Sequence, residues 1–140
     1  MKKRRGITFS NLTLELNNHK TDNILSMVSE NFEVNLVGHG ILHGKVESSK
    51  FLLDLFQGFA DLFITSITIL YDNSTHNLII SEVEVEDHHL GWWNGNPSSG
   101  KKFSTMEVIS IKFDKVSKIR TIGVYLNFAS IYKQLEILKF

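Results

Sequence analysis

Cysteine is absent from this sequence of 140 residues, and proline occurs once, at Pro97. Without cysteine the chain can form neither a disulfide framework nor a thiolate metal site. It also contains no low-complexity linker and no internal repeat, so no position suggests a boundary between domains. We therefore expect one domain over residues 1–140, a length that buries roughly 68% of the surface exposed by the unfolded chain.

Long hydrophobic runs are missing as well. The densest apolar stretch, residues 63–71, is interrupted by Thr65, Ser66 and Thr68, whereas a membrane-spanning helix needs roughly 18 or more consecutive apolar residues. The basic residues at positions 2–5 are followed by no continuous apolar segment of the kind that secretory signals carry. These absences predict a cytoplasmic protein without a membrane partner.

The chain also lacks an excess of charge of one sign, because its 15 basic residues balance its 15 acidic ones. The basic cluster at positions 2–5 is not continued by a basic patch, so a short solvated leader explains it. Contact of this cluster with nucleic acid or with anionic lipid is the alternative. We expect no nucleic-acid partner.

Helical periodicity of the apolar residues predicts helices at residues 9–16, from 21 or 22 to 28, at 48–63 and at 130–138. The first is ambiguous, since the alternation of Leu12, Leu14 and Leu16 also suits a strand. A side-chain oxygen of Thr21 or Asp22 is expected to cap the second helix. The third is long and amphipathic, and we expect its apolar face to pack on a sheet.

Alternation with a period of two predicts strands at residues 32–36, 64–71, 78–89, 103–114 and 118–127. Residues 38–44 include three glycines and are expected to form a loop. Short connections between the last four strands favour antiparallel pairing. Helices followed by a curved antiparallel sheet that wraps the long helix constitute an α+β layout.

Polar side chains are expected on the buried faces of these strands. Asp87 and His89 have the same parity as Val85, and Glu107 has the same parity as Ile109. Because an unpaired buried carboxylate is costly, these groups should either pair with another polar group or line a wet cavity. A register slip would instead place them in solvent. In the strand at 118–127, parity does not decide which face is buried.

The segment between two of these strands, residues 89–101, reads HLGWWNGNPSSGK. It resembles the strand and loop of SnoaL-like polyketide cyclases, also called ester cyclases, of the nuclear transport factor 2-like superfamily. In that family His-x-Gly leads to Gly-x-Pro-Pro-Thr-Gly followed by Lys or Arg. The matching residues are His89, Gly91, Gly95, Pro97, Gly100 and Lys101. Gly44, Phe59-Ala60-Asp61-Leu62 and the stretch 118–135 extend the resemblance over most of the chain.

This resemblance implies a cone-shaped nuclear transport factor 2-like fold, in which a curved antiparallel sheet wraps a long helix and encloses a pocket. Residues 87–102 would form part of the wall and mouth of that pocket. The resemblance further implies a small, largely apolar carbonyl or polyketide-type ligand, no cofactor, and a homodimer formed through the sheet. Cyclisation or isomerisation by acid/base chemistry is the implied activity.

Candidate catalytic residues follow from the same comparison. His89 would carry the proton, since the unperturbed pKa of histidine lies near neutrality, and Asp87 or Glu107 would orient it or serve as base. Asn127 stands where the cyclases have the Asp that acts as general acid/base, and it would donate a hydrogen bond to a developing enolate oxygen.

An amide cannot exchange a proton near neutral pH, so a non-catalytic ligand-binding or dimerisation module is the alternative. A hydrolase would need a carboxylate pair, for which Asp87 and Glu107 are the candidates.

The candidate ligand-binding residues are His39, His43, Phe59, Trp92, Trp93 and Tyr125. His39 and His43 lie in the glycine-rich loop, which borders the pocket in the family, and without a third ligand they predict no metal site. If Trp92 and Trp93 are extended, one would cover the pocket and the other would pack at a subunit interface. Gly123 stands where the family usually has Trp, which would enlarge the pocket unless another ring fills the space.

Overall fold

The structure is a computed structural model, which describes residues 2–38, 40–73, 77–93, 95–126 and 128–136. The helices are α1 (Lys2–Asn17), α2 (Thr21–Ser26), α3 (Gly44–Gly58) and α4 (Phe128–Gln134), and the strands are β1 (Val28–Leu36), β2 (Gly40–His43), β3 (Phe63–Asn73), β4 (Leu78–His88), β5 (Lys102–Phe113) and β6 (Ile119–Tyr125). This is the predicted α+β composition. None of these helices, within the residues described, is long and apolar enough to cross a membrane.

The strands form one six-stranded sheet in the order β2-β1-β6-β5-β4-β3. Neighbouring strands run antiparallel except for β1 and β6, which are parallel. The prediction of an antiparallel sheet therefore needs correction at this one pair, which pattern alone did not reveal because β1 and β6 are far apart in sequence. Register shifts within β3 and β1 mark bulges, and bulges bend and twist a sheet.

The first segment is a helix, and the alternative interpretation as a strand is wrong. Leu12 is 4% exposed whereas Leu14 is 54% exposed, although a strand would place the two on one face. The cap predicted for the second helix is also wrong, since α2 has Lys20 at its N-cap and no side-chain capping bond. Val28 opens β1 and does not end this helix.

We had predicted that the whole glycine-rich segment is a loop, and the structure shows that only part of it is. Its residues 40–43 form β2, which pairs with β1 in a hairpin. Gly38 and Gly44 have φ angles of 84° and 76°, a left-handed conformation that glycine adopts without strain, and they lie at the two ends of this short strand. The long helix consequently begins at Gly44 rather than at Ser48, and it ends at Gly58 rather than near Phe63.

Two side-chain amides fasten helices to strand main chain. Asn17, at the end of α1, accepts from the Ile64 N–H at 2.7 Å and donates to the Ile64 carbonyl at 3.3 Å. Gln134, at the end of α4, makes the same pair of bonds with Ser104, at 2.9 and 3.0 Å. These bonds satisfy strand groups that would otherwise need water, and they fix both helices over the concave side of the sheet.

The buried apolar side chains fall into two clusters. One joins α1, α2 and the sheet around Leu12, Phe32 and Ile111. The other joins the end of α3 to β5 and α4 around Phe59, Phe103 and Ile131. Members of both clusters line a single cavity, which therefore lies between them.

Candidate functional site

The cavity has a volume of about 200 Å³. Since a cavity of roughly 150 Å³ can hold benzene, this volume suits a compound of one or two rings. Most of the lining is apolar and comes from α1, α2, α3, α4 and the concave face of the sheet. The polar side chains that line it are Asn17, Ser48, Thr105 and Glu107.

Strand β5 brings Glu107 to the cavity. Its neighbours of the same parity, Thr105 and Ile109, also line the cavity, and its partner across the sheet is Val83 on β4. The predicted inward face of β5 is thus confirmed. Burial of this carboxyl among apolar side chains raises the pKa of Glu107 to about 7. Near neutral pH, Glu107 can therefore either accept or donate a proton.

The structure shows which face of β6 is directed toward the cavity, a question that the alternation of its residues had left open. Ile122, Val124 and Leu126 line the cavity, so Gly123 and Tyr125 belong to the outer face. A Cβ at Gly123 would lie 2.5 Å from the Ser110 Oγ. The expectation that Gly123 enlarges the pocket is therefore wrong, because the space left by its missing side chain lies on the outer face and is occupied by Ser110.

His89 is buried as predicted, with 0% of its surface exposed, but its side chain does not line the cavity. Its Nδ1 lies 3.0 Å from the Ser99 Oγ, and its ring lies 5.5 Å from that of Phe59, which does line the cavity. Burial lowers the pKa of His89, while main-chain groups of Gly91 and Asn96 act in the opposite direction. The imidazole is consequently neutral at physiological pH.

The main chain around His89 ties the loop of the motif to the end of β4. The His89 N–H donates to the Lys101 carbonyl at 2.9 Å, and the His89 carbonyl accepts from the Gly100 N–H at 2.8 Å and the Ser98 hydroxyl at 3.0 Å. The motif residues thus hold residues 98–101 in place.

Asp87 is also buried, at 2% exposure, and it pairs with a second carboxylate rather than lining the cavity. The His88 N–H donates both to Asp87 Oδ1 at 2.6 Å and to Asp61 Oδ1 at 2.9 Å. Two carboxylates that converge on one N–H cannot both stay ionised. Burial and the neighbouring Asp61 raise the pKa of Asp87 to about 8.

Asp61 remains ionised. Its hydrogen bond with Asp87, together with bonds to the main chain and the ring of His88, holds the pKa of Asp61 below its usual range, although burial opposes this shift. Asp61 Oδ2 lies 2.6 Å from His88 Nδ1. A neutral Asp87 therefore keeps its proton and donates a hydrogen bond to an ionised Asp61, so that the two form an acid–carboxylate pair.

This pair predicts different effects for the same substitution at its two members. Asp87→Asn should raise the free energy of unfolding at pH 7, because an amide can donate to Asp61 as the neutral acid does and need not take up a proton on folding. Asp61→Asn should cost about 1–2 kcal/mol, because it removes charge-assisted bonds to His88. Urea unfolding at pH 7 measures both variants. Equal losses would show that the proton is not on Asp87.

The stability of the natural chain should also depend on pH through Asp87. Its folded pKa of about 8 lies above its usual value of 3.8, so between these values the folded state binds a proton that the unfolded state has lost. The free energy of unfolding therefore falls as pH rises from about 4 to 8. Asp87→Asn should make this dependence shallower, which urea unfolding at pH 5, 7 and 8.5 would reveal.

The predicted ligand-binding residues divide between cavity and surface. Phe59 and Trp93 line the cavity, with their rings 5.4 Å apart. Trp92 and Tyr125 are 59% and 49% exposed and do not line it. His43 is likewise exposed, 3.5 Å from Glu33. His39 and Asn127 lie outside the described residues, so the parts proposed for them stay predictions.

The structure does not bring Asp87 and Glu107 together, since only Glu107 reaches the cavity. Sequence reasoning missed Ser48, whose side chain lines the cavity from α3. The signal was the helical spacing, because Ser48 precedes the lining residues Leu52 and Leu55 by four and seven positions. Among the described residues, no group of three His, Asp or Glu side chains is arranged to hold a metal ion.

No protein-family profile matches the chain, and no curated protein matches it in sequence. Solved structures do match. A candidate polyketide cyclase from Xanthomonas campestris pv. campestris superposes with a TM-score of 0.85 at 14% identity, over 96% of this chain and 99% of that one. A candidate SnoaL-like polyketide cyclase from Jannaschia sp. gives 0.83 at 13% identity, over 98% and 94%.

A third similar structure is the epoxide hydrolase/cyclase-like enzyme SalBIII, described for pyran ring formation in the polyether salinomycin. It has a TM-score of 0.77 at 14% identity, over 93% of this chain and 97% of that one. These likenesses confirm the predicted fold. The chain has a SnoaL-like fold.

Proposed function

We propose that the chain is a cytoplasmic, single-domain protein that binds a small, largely apolar carbonyl or polyketide-type compound in its cavity and moves a proton on it. Glu107 carries this proposal. Among the described residues, it is the only ionisable side chain that lines the cavity, and burial places its pKa at about 7. A group with this pKa is suited to general acid/base catalysis at neutral pH.

In the proposed reaction the ionised carboxylate of Glu107 removes a proton from a carbon next to a carbonyl group of the ligand. The electron pair of the broken C–H bond moves onto the carbonyl oxygen, which gives an enolate. In a ligand with a double bond next to the deprotonated carbon, return of the proton from Glu107 to the far end of the conjugated enolate completes an isomerisation. In a ligand with a second carbonyl group, attack of the enolate on that carbonyl carbon closes a ring, and the resulting alkoxide takes the proton back from Glu107. Neither outcome requires a metal or an organic cofactor.

The other predicted catalytic residues receive supporting roles in this proposal. Asn127, which lies outside the described residues, keeps the role predicted from the sequence comparison, in which its amide would donate a hydrogen bond to the enolate oxygen. His89 would position Phe59 and the loop of residues 98–101 from behind the cavity wall. From the sequence we predicted that His89 carries the proton, and in this proposal Glu107 has that role instead.

A proton exchange experiment tests this activity. The probe is 2-tetralone, a two-ring ketone, incubated with the protein in D₂O at pH 7. Loss of its α-proton signals in ¹H NMR spectra should be faster with the protein than with buffer alone. Tetralone that binds without faster exchange would refute the proposed catalysis.

A non-catalytic ligand-binding protein is the second candidate function. It is favoured by the apolar character of the lining and by the residue at position 127, because an asparagine cannot be a second proton carrier. In that case the exchange rate would stay at the buffer value, while titration of the protein with 2-tetralone would still show saturable binding.

We also propose that two copies associate through the outer face of the sheet. Met106 and Tyr125 belong to this face, and each is 49% exposed. Exposed aromatic and methionine side chains are enriched in protein interfaces. Light scattering coupled to size exclusion should give the mass of a dimer for the natural chain and that of a monomer for Tyr125→Lys. A natural chain with the mass of a monomer would overturn this proposal.

A further inference from the structure

A buried hydroxyl faces the cavity without a protein partner. Ser48 is 2% exposed and lines the cavity, and within the described residues its Oγ makes no hydrogen bond. A serine inside a helix commonly donates to the carbonyl four residues earlier. Ser48 does not make that bond, although it lies well inside α3.

No protein group among the described residues compensates this hydroxyl for its burial. A buried hydroxyl that loses its hydrogen bonds to water and gains none in exchange destabilises the folded state. Alanine at the same position would avoid this cost and has a higher helix propensity. Stability alone therefore does not account for serine at position 48.

The other polar side chains of the cavity show which groups remain available to a ligand. The amide of Asn17 is engaged at both its nitrogen and its oxygen by the main chain of Ile64. The Thr105 hydroxyl lies 3.4 Å from the Met106 carbonyl. Within the described residues, the two polar groups of the lining without a hydrogen bond to the protein are the Ser48 hydroxyl on α3 and the Glu107 carboxyl on β5.

We propose that Ser48 is a binding residue that forms a hydrogen bond with an oxygen of the ligand. Because Ser48 and Glu107 belong to different walls of an otherwise apolar cavity, the ligand would be a one- or two-ring compound with two oxygen functions at separate positions. One oxygen function lies at Ser48 and the other near Glu107. This inference rests on the proposed binding of a small compound in the cavity, and it adds the second polar contact.

The test uses naphthalene, 2-naphthol and a set of dihydroxynaphthalenes with different hydroxyl spacings as probes, with dissociation constants from calorimetric titration. At least one dihydroxynaphthalene should bind the natural chain more tightly than 2-naphthol does. Ser48→Ala should weaken that probe about 3- to 10-fold, the usual range for one hydrogen bond. It should leave the affinity for naphthalene unchanged.

Ser49→Ala is the matched control, since it makes the same change on the same helix at a residue that does not line the cavity. It should bind every probe as the natural chain does. Thermal unfolding without ligand separates binding from a structural role. Ser48→Ala should melt at the same temperature as the natural chain or higher, because it removes a buried hydroxyl without a partner.

Three results would overturn the inference. If the dihydroxynaphthalenes bind and Glu107→Gln weakens them while Ser48→Ala does not, Ser48 has no role and the proposed function stands. If Ser48→Ala lowers the melting temperature and leaves every affinity unchanged, its role is structural. If no probe binds the natural chain, naphthalene included, the proposed binding function itself fails, and this inference fails with it.

Discussion

Glu107→Gln is expected to lower the rate of α-proton exchange on 2-tetralone by about 100-fold or more, the lower end of what a positioned acid/base group contributes. Glutamine has nearly the same shape as glutamate and can still form hydrogen bonds in the cavity, but it cannot take up a proton. The affinity for the ketone should therefore change much less than the rate. Exchange followed by NMR and calorimetric titration measure the two quantities separately.

The pH dependence of the natural chain provides a second check on this residue. The base form of Glu107 is the ionised carboxylate, and its pKa is raised to about 7 by burial. The exchange rate should thus increase with pH, be half-maximal near pH 7 and reach a plateau above about pH 8. A rate that is already maximal at pH 5 would contradict the assignment, because the responsible group would then have an ordinary carboxyl pKa.

Glu84→Gln is the matched control for this substitution. Glu84 pairs with Met106 on the outer face of the sheet, whereas the adjacent pair, Val83 and Glu107, faces inward. The control makes the same chemical change one position away in the sheet but outside the cavity. Its exchange rate should equal that of the natural chain, and a comparable loss in both variants would indicate a general effect of charge.

Glu107→Gln should also raise the stability of the folded chain at alkaline pH. The folded pKa of Glu107, about 7, exceeds its usual value of 4.5, so the stability associated with its protonated form is lost as pH rises between these values. Above pH 7 the natural chain contains a buried carboxylate, and the glutamine variant does not. Glu107→Gln should therefore melt at a higher temperature at pH 8 and at a similar temperature at pH 4.

Gly91→Ala is the substitution with the largest expected effect on stability. A Cβ at this position would lie 2.1 Å from the main-chain carbonyl oxygen of Gln57, which cannot move away without displacing the end of α3. The N–H groups of Leu90 and Gly91 both donate to the Gly58 carbonyl at 3.0 Å. Steric overlap and the loss of these bonds together should cost about 3–5 kcal/mol.

Thermal unfolding would register this cost as a decrease in melting temperature of about 10 °C, given the size of the chain. Gly123→Ala is a suitable comparison, since its Cβ would meet the Ser110 Oγ, which belongs to a small side chain on the outer face. Its loss should be smaller and should be largely recovered in the double variant with Ser110→Ala. A Gly91→Ala protein as stable as the natural chain would show that residues 90 and 91 do not cap α3.

Several features of the site were accessible from sequence because strand side chains alternate strictly. Parity placed Asp87, His89 and Glu107 on buried faces, and each of them occupies such a face. Parity does not distinguish a buried residue that lines the cavity from a buried residue that pairs with another polar side chain outside it. Asp87 pairs with Asp61, which comes from the connection after α3, and no spacing within β4 indicates that partner.

The errors in the bounds of β2 and α3 have a common cause, since both required knowledge of a distant segment. Residues 40–43 are a strand because β1 offers them a partner. Helix α3 ends at Gly58 because residues 90 and 91 approach its last turn. The amphipathic pattern of α3 continues beyond that point, so periodicity alone overestimated its length. Local patterns gave the type of most elements, and tertiary contacts decided where they end.

The position of β6 in the sheet has a consequence for how the chain folds. Strand β6 lies between β1 and β5, although it is the last of these six strands in chain order. Until it is added, the β1–β2 hairpin and the β3–β4–β5 meander share no main-chain pairing. Such late, long-range pairing slows folding and leaves strand edges exposed. The nascent chain should therefore depend on the synthesis of residues 119–125 before its two halves can close around the cavity.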